Sequence, residues 1–348
     1  MSFKSSQKSR FVSRLRYYSG RLFSHLWQGN FAVIRDRLGL LLSTLFVRRI
    51  SLKTLKKRLY NLPSSVLILD HALGGGACHY REAMTQDYLR QGKSVLLWQY
   101  IPITLGFQLR IFLPNGKSSA YAVNRESWDI LADCQNIHTL VLNNIVSYPQ
   151  PEIIPMWLNP LLSRPDIRFI LPIHDFFLVC PSFNLLNHQG IYCAIPPRDF
   201  CHNCLPHIQD ALVSLFQAHD IDLWRAIWEP LLHRADQILC FSENTRTLLL
   251  RAYPALATRG ITVQPHDMNY LQGHYHYPHG ENTCNIAIIG SISHHKGSKV
   301  FMELATAIQA QRFNVKLTVI GSLNPPPPQN PVTFRVLALT GAMNWLHS

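Results

Sequence analysis

The sequence predicts an α/β fold built on a mostly parallel sheet with helices on both faces. Two observations carry this. From residue 62 onward, short apolar runs of strand length alternate with segments of helical length, the order that βαβ units produce. The runs are also apolar throughout instead of alternating with polar residues, as strands buried on both faces must be. A third observation divides the chain. The polar, His/Tyr-rich stretch 268–283 interrupts the pattern, which then restarts at residue 284.

The elements follow in order. Residues 1–61 form a basic, helical arm. Phe11, Leu15, Tyr18, Leu22 and Leu26 step by three or four along one apolar face, and Arg10, Arg14 and Arg21 fall largely off it. The first domain is expected over 62–267. "SSVLILD" (64–70) is too short for a helix and ends at a glycine cluster, so it reads as a buried strand. "ACHYREAMTQDYLRQG" (77–92) reads as the helix that follows, and "SVLLWQY" (94–100) as the second strand. "FQLRIFLP" and "SAYAV", joined through "NGKS", read as a hairpin insert. Then come helix "SWDILADC", strand "IHTLVLNNI" (137–145), helix "PMWLNPLL" with Pro155 at its start, and strand "IRFILPIHDF" (167–176). A Cys-rich insertion follows over 176–206. Helix "DLWRAIWEPLLHRA", expected to kink at Pro230, leads to strand "DQILCFS", helix "ENTRTLLLRAYP" and strand "ITVQPHD". After the linker 268–283, residues 284–348 open a second α/β unit with strand "CNIAIIGSIS", helix "HKGSKVFMELATAIQA" and strand "VKLTVIGS". "PPPP" (325–328) stops this pattern, and the last 20 residues show no clear period.

Charge is unevenly placed. The chain carries a net charge of +13, and residues 1–60 hold 14 Lys+Arg against the single acid Asp36, so the arm accounts for all of it. A basic amphipathic helix suits an anionic membrane surface, where each cation contributes about 1 kcal/mol; the same pattern also fits a solvated or core-packing helical lead-in. The neutral remainder argues against a nucleic-acid binder. No run reaches the roughly 18 apolar residues of a membrane span, and the first 30 residues lack a secretory h-region. Eight cysteines in 348 residues do not form a small-domain disulfide framework. These features predict a cytoplasmic protein, peripheral on the inner face of the membrane.

Three strand ends carry chemistry. In "DHALGGGACHY", Gly74, Gly75 and Gly76 separate the first strand from the first helix. Ligands bind outside the carboxyl ends of such strands, and the helix start favours negative charge. The pattern is not G-x-G-x-x-G, and no acid ends the second strand, which argues against a dinucleotide. "RQGKSVLL" places Gly-Lys-Ser between helix and strand, the wrong order for a phosphate loop. In "AIIGSISHHKGSKV", Lys296 and the N–H groups of the following helix are expected to face an anion. "LPIHDFFLVC" puts His174 at a strand end, with Asp175 either orienting it or bonding backbone.

Cys180, Cys193, Cys201 and Cys204 crowd the insertion with spacing C-x12-C-x7-C-x2-C. "CHNC" has the reach of a zinc half-site. A structural four-thiolate zinc, buried free thiols, and a redox pair at Cys201/Cys204 are the three readings of this spacing.

Taken in order, "DHALGGGACHY", "PIHDFFLVCPSFNLL…G-IYC…C-HNC", "ADQILCFSENT" and "AIIGSISHHKG" resemble family 4 nucleotide-sugar glycosyltransferases of bacterial polysaccharide assembly. The resemblance spans about residues 64 to 322. It implies two facing Rossmann-like domains of the GT-B type with the active site in the cleft between them. It implies a nucleotide-diphosphate sugar donor, and a polysaccharide or lipid-linked acceptor. No metal is required for the chemistry. By the same resemblance His174 lies on the cleft wall, and Lys296 of the "KG" motif grips the donor diphosphate. Gly74 to Gly76, His79, Ser291 and Gly297 contact donor or acceptor. Two departures stand out. Ser291 occupies the place where many members carry an arginine. The family's pair of glutamates, seven residues apart, is absent, since no acidic residue follows Glu303. A complete second domain would run roughly 150 residues. The expectation is therefore a second domain that is incomplete, and an enzyme that is either a transferase or a non-catalytic, acceptor- or partner-binding remnant of one.

Overall fold

The computed structural model describes residues 47–72, 75–102, 104–208, 220–266, 284–323 and 334–337. The chain divides into two compact units, Met1–Asp267 and Met268–Ser348.

The first unit holds a nine-stranded sheet of order β1-β5-β4-β3-β2-β6-β7-β8-β9. Its strands are β1 (Arg48–Arg49), β2 (Ser65–His71), β3 (Ser94–Ile101), β4 (Gly106–Phe112), β5 (Ser118–Val123), β6 (Ile137–Leu142), β7 (Arg168–Ile173), β8 (Gln237–Cys240) and β9 (Ile261–Val263). β3-β2-β6-β7-β8-β9 pair in parallel. β4 and β5 pair antiparallel, and β4 joins β3 antiparallel, so the expected hairpin extends the main sheet. The helices are α1 (Leu52–Tyr60), α2 (Gly76–Arg90), α3 (Arg125–Ala132), α4 (Ile154–Leu162), α5 (Arg198–Cys204), α6 (Ile221–Arg234) and α7 (Glu243–Ala252).

Burial explains why these runs are strands. All eight residues of β3 are buried, and six of seven in β2. The side-chain period of two sends them to opposite faces. Val66, Ile68, Val95, Leu97 and Val141 pack on one face with Met84, Tyr88 and Leu89 of α2. Leu67, Leu69, Leu96 and Trp98 pack on the other with residues of α3, α4 and α6. There Trp98 meets Trp128 edge to face at 5.3 Å, and Trp128 Nε1 donates to the Trp157 carbonyl at 2.9 Å. Such aromatic contacts add about 0.5–1.5 kcal/mol beyond burial. Side-chain oxygens start the helices: Ser51 caps α1, Asn124 closes a capping box with Ser127 on α3, and Asp220 and Ser242 cap α6 and α7. Each such cap contributes about 1 kcal/mol.

Three features refine the sequence reading. α1 lies inside the basic segment but belongs to the globular unit. Leu55 and Leu59 are fully buried, and Asn136 Nδ2 donates to the carbonyls of Leu59, Tyr60 and Leu62. β1 pairs in parallel with β5. Pro230 sits inside α6 without ending it. The apolar face expected from Phe11 to Leu26 lies outside the described residues. No helix among the described residues is long and apolar enough to cross a membrane.

The second unit holds a three-stranded parallel sheet, β10 (Cys284–Ile292), β11 (Val315–Leu323) and β12 (Phe334–Leu337), with α8 (Ser298–Ala310). Ile292, Phe301, Ile308, Leu317, Val319 and Leu323 form its core. β12 lies beyond the prolines where no periodicity was expected. Gly290 and Gly321 stand opposite each other on β10 and β11. A Cβ on Gly321 would lie 2.2 Å from the Gly290 carbonyl oxygen, so the two strands require glycine there.

Candidate functional site

The parallel strands end together on one edge of the first sheet. From β2 the chain goes to β3 on one side and later returns to β6 on the other. This reversal of winding opens the crevice in which open α/β sheets bind ligands. Asp70 and His71 end β2, and Asn143 and Asn144 follow β6. His174 and Asp175 follow β7, Phe241 follows β8, and His266 lies beyond β9.

The glycine turn opens α2. Gly75 has φ of +100°, a conformation other residues rarely adopt. No side chain caps the helix, and a Cβ built on Gly75 or Gly76 meets nothing within 4 Å. The first turn of α2 therefore lacks a side-chain acceptor for its leading N–H groups, the arrangement that favours an anion. Gly74 lies outside the described residues.

Beneath this turn is a buried ion pair. Arg81 Nη1 donates to Asp70 Oδ2 at 2.6 Å, with both side chains almost fully buried. Arg81 Nη2 reaches Cys78 Sγ at 2.8 Å and Glu82 Oε1 at 3.2 Å. Asp70 Oδ1 and His71 Nδ1 are buried without a hydrogen-bond partner. Burial outweighs the Arg81 guanidinium and pushes the Asp70 carboxyl up to about 6. Burial, with the Arg81 charge, lowers His71 to about 4. A buried polar atom left without a partner costs about 1–3 kcal/mol.

His174 is held by a relay that starts at α2. Asn143 Nδ2 donates to the Ala77 carbonyl at 3.2 Å, and Asn143 Oδ1 accepts from His174 Nε2 at 3.0 Å. The proton therefore sits on Nε2, and Nδ1 carries the lone pair. Burial and the neighbouring His266 and His71 push His174 down to about 3, so the ring is neutral at pH 7. The Phe241 ring stacks on His174 at 4.8 Å and on His266 at 3.9 Å, and Tyr80 from α2 meets His174 edge-on at 5.1 Å. Asp175 does not orient His174. Its Oδ1 accepts from the Phe177 N–H and its Oδ2 from Asn144 Nδ2, both at 2.8 Å. A pocket between the ends of β6 and β7 is lined by Asn143, Asn144, His174 and Asp175 together with Leu142, Ile173, Phe177 and Leu178.

The Cys-rich segment begins directly below. A tight turn at Asn187–Gly190 and a bridge between Leu186 and Tyr192 fold it back, so that Cys193 N–H donates to Leu185 O at 2.9 Å. α5 then carries Cys201 and Cys204. All four thiols are free. Neighbouring thiols add to the cost that burial sets on ionising Cys180, Cys201 and Cys204, but no three of the sulfurs lie within 4.8 Å of one another. Burial pushes Cys180 up to about 12 and raises Cys201 and Cys204. Protonated thiols are poor nucleophiles, which disfavours the redox-pair reading. His202 of α5 sits between two carboxylates, 2.9 Å from Asp220 and 3.1 Å from Asp222.

Lys296, Gly297 and Ser291 belong to the second unit. β10 ends at Ile292, and a single turn over His294–Lys296 leads to Gly297, whose φ is +81°. α8 starts one residue later, at Ser298, with no side-chain cap. Lys296 is exposed. No protein-family model matches the chain, and a search of curated proteins finds no match.

Of the expected residues, Gly75, Gly76 and His174 share one strand-end edge. His79 turns to solvent, 80 % exposed and 3.9 Å from Glu82. Asp70, His71, Tyr80, Arg81, Asn143, Phe241 and His266 were not anticipated. Asp70 and His71 stand immediately before the glycine run, and paired asparagines end an otherwise apolar strand. Those are the signals that could have found Asp70, His71 and Asn143; Tyr80, Arg81, Phe241 and His266 carry none.

Proposed function

We propose that the protein is a glycosyltransferase that moves a sugar from a nucleotide-diphosphate donor to a polysaccharide or lipid-linked acceptor. The observation that carries this reading is the strand-end edge of the first unit. It combines a helix start over glycines without a side-chain cap, a neutral His174 fixed through Asn143, and the buried atoms Asp70 Oδ1 and His71 Nδ1, which have no hydrogen-bond partner. Breaking a sugar–phosphate bond gathers negative charge on the leaving diphosphate, which fixed cations and dipoles must offset. In this reading Lys296 and the start of α8 meet the diphosphate, and the start of α2 meets anionic or hydroxylated acceptor groups. His174, with its lone pair on Nδ1, orients a sugar hydroxyl. The chemistry works in the cytoplasm, with residues 1–60 meeting an anionic membrane surface.

The test is direct. The purified chain is incubated with a panel of nucleotide-diphosphate sugars, and nucleoside diphosphate release is followed with and without lipid-linked and oligosaccharide acceptors. A donor at 100 times its Kd stabilises by about 2.7 kcal/mol, which raises Tm by roughly 5–10 °C. Stabilisation with acceptor-dependent release supports the transferase. Stabilisation without release identifies a non-catalytic binder. Neither effect with any donor removes the reading.

A further inference from the structure

We propose that the chain forms a two-fold dimer in which β10 of one copy pairs antiparallel with β10 of another, across the free edge of the second unit's sheet. Three observations carry this inference: the edge is open, it is unguarded, and it is self-complementary.

The strand order β10-β11-β12 leaves β10 paired on one side only. It is nine residues long, and no strand among those described lies against its other side. An edge strand presents a row of backbone N–H and C=O groups, a template for a further strand. Ile288 and Ile292 belong to the core beneath α8. The period of two therefore sends Ile289 to the opposite face of the sheet, where it is 72 % exposed. Ile286 is also exposed.

The other edges of the two sheets are blunted. β1 is two residues long and both are arginine, β9 is three residues long, and β12 is four. Short or charged edge strands resist the addition of another strand. β10 is longer than any of these, and its sequence CNIAIIGSI holds no charged residue and no proline. Its four isoleucines are β-branched, the side-chain type that packs best on a pleated surface. The same chain thus protects three edges and leaves the fourth able to pair.

A second copy is the occupant that this edge fits. Identical strands related by a two-fold axis perpendicular to the sheet run antiparallel, and every contact is made twice. Like charges opposite one another destabilise such a pair. A copy of β1 would meet its own arginines, whereas β10 brings no charge to meet. Directly opposed residues of an antiparallel pair share a face. With the axis at Ile288, Ile289 lies against the second copy's Ala287, and Ile286 against its Gly290. The exposed isoleucines gain neighbours small enough to admit them. The two three-stranded sheets become one of six strands, inside the common range of about 4–6.

The experiment uses the full 348-residue chain under reducing conditions. Sedimentation velocity across a dilution series gives the oligomeric state, and hydrogen exchange at both ends of the series gives the site. The expected result is a monomer–dimer equilibrium in which amides of 284–292 gain protection only at high concentration, while those of 48–49 and 261–263 do not change. Ile289→Lys should shift the chain to monomer, because it sets two like charges about 7–8 Å apart across the axis. Adding Ala287→Glu to Ile289→Lys should restore the dimer, because each new cation then faces a carboxylate. Both positions lie outside the core beneath α8, and unchanged exchange in 298–323 verifies that the variants are folded. A wild type that stays monomeric, a dimer without protection of 284–292, or a dimer that survives Ile289→Lys would each overturn the proposal. Growth of the wild type beyond a dimer would overturn it as well, since a two-fold edge pair closes. Failure of the double variant to restore the dimer would overturn the register centred on Ile288.

Discussion

Replacing Arg81 with methionine isolates the pair on which the glycine turn rests. Asp70 is 0 % and Arg81 6 % exposed, so the change strands a carboxylate in the interior. Removing one partner of a buried ion pair costs about 3–5 kcal/mol. The cost must depend on pH, because Asp70 can escape by taking up a proton. Its carboxyl already lies near 6 beside the guanidinium, and rises further without it. A group whose folded value is raised lends stability at low pH and loses it as pH rises through that value. In the wild type this loss is complete soon after pH 6; in Arg81→Met it continues upward. The difference between the two proteins should therefore grow with pH from 6 to 8, by up to about 1.4 kcal/mol per pH unit. Near pH 5, where Asp70 is protonated in both, only the lost hydrogen bonding of about 1–3 kcal/mol remains. Urea unfolding followed by tryptophan fluorescence at pH 5, 6, 7 and 8 measures this. Adding Asp70→Asn to Arg81→Met should remove the pH dependence. A difference that stays flat from pH 5 to 8, or falls below about 1 kcal/mol at pH 8, would show that the pair is not buried as described.

Other expectations concern separate parts of the molecule. His174→Gln keeps a donor toward Asn143 but cannot titrate. Because His174 is depressed to about 3, the wild type loses stability as pH falls below 6.5, and the variant should gain on it by about 1.4 kcal/mol per pH unit down to pH 4; equal profiles would mean the ring is solvated. If the chain transfers sugar, Lys296→Ala should lower turnover by about 10²–10³, and unchanged turnover would exclude Lys296 from the chemistry. Gly321→Ala drives a methyl group into the Gly290 carbonyl at φ of +140°. It should destabilise the second unit by more than the roughly 1–3 kcal/mol of backbone strain, seen as faster hydrogen exchange in 284–323 with the first unit unaffected.

The parallel strands and their helices were legible because two-sided burial writes itself as uninterrupted apolar runs, as in "SVLILD" and "SVLLWQY". β1 was not, since two arginines carry no strand signal; their pairing with Tyr121 and Ala122 is a long-range fact. α1 was hidden by its charge: Lys53, Lys56 and Lys57 dominate the composition, while two leucines do the packing. At the strand ends, position was legible and partnership was not. His174 was expected at a strand's carboxyl end, but its bond to Asn143 and its stack with Phe241 and His266 depend on strand order, which brings together residues up to 92 apart. Asp70 and His71 stand beside the glycine run, and no local pattern reports the burial of the Asp70 carboxylate.

The anchoring of α1 also fixes an order of events during synthesis. Its last turn and the residues just after it accept hydrogen bonds from Asn136, which lies 74 to 77 residues further along the chain. At about 5–20 residues per second, a ribosome needs roughly 4–15 s to make that stretch. Throughout this interval the lysine-rich segment of α1 is without its partners in α3 and the core, and whatever meets Leu55 and Leu59 first competes with them.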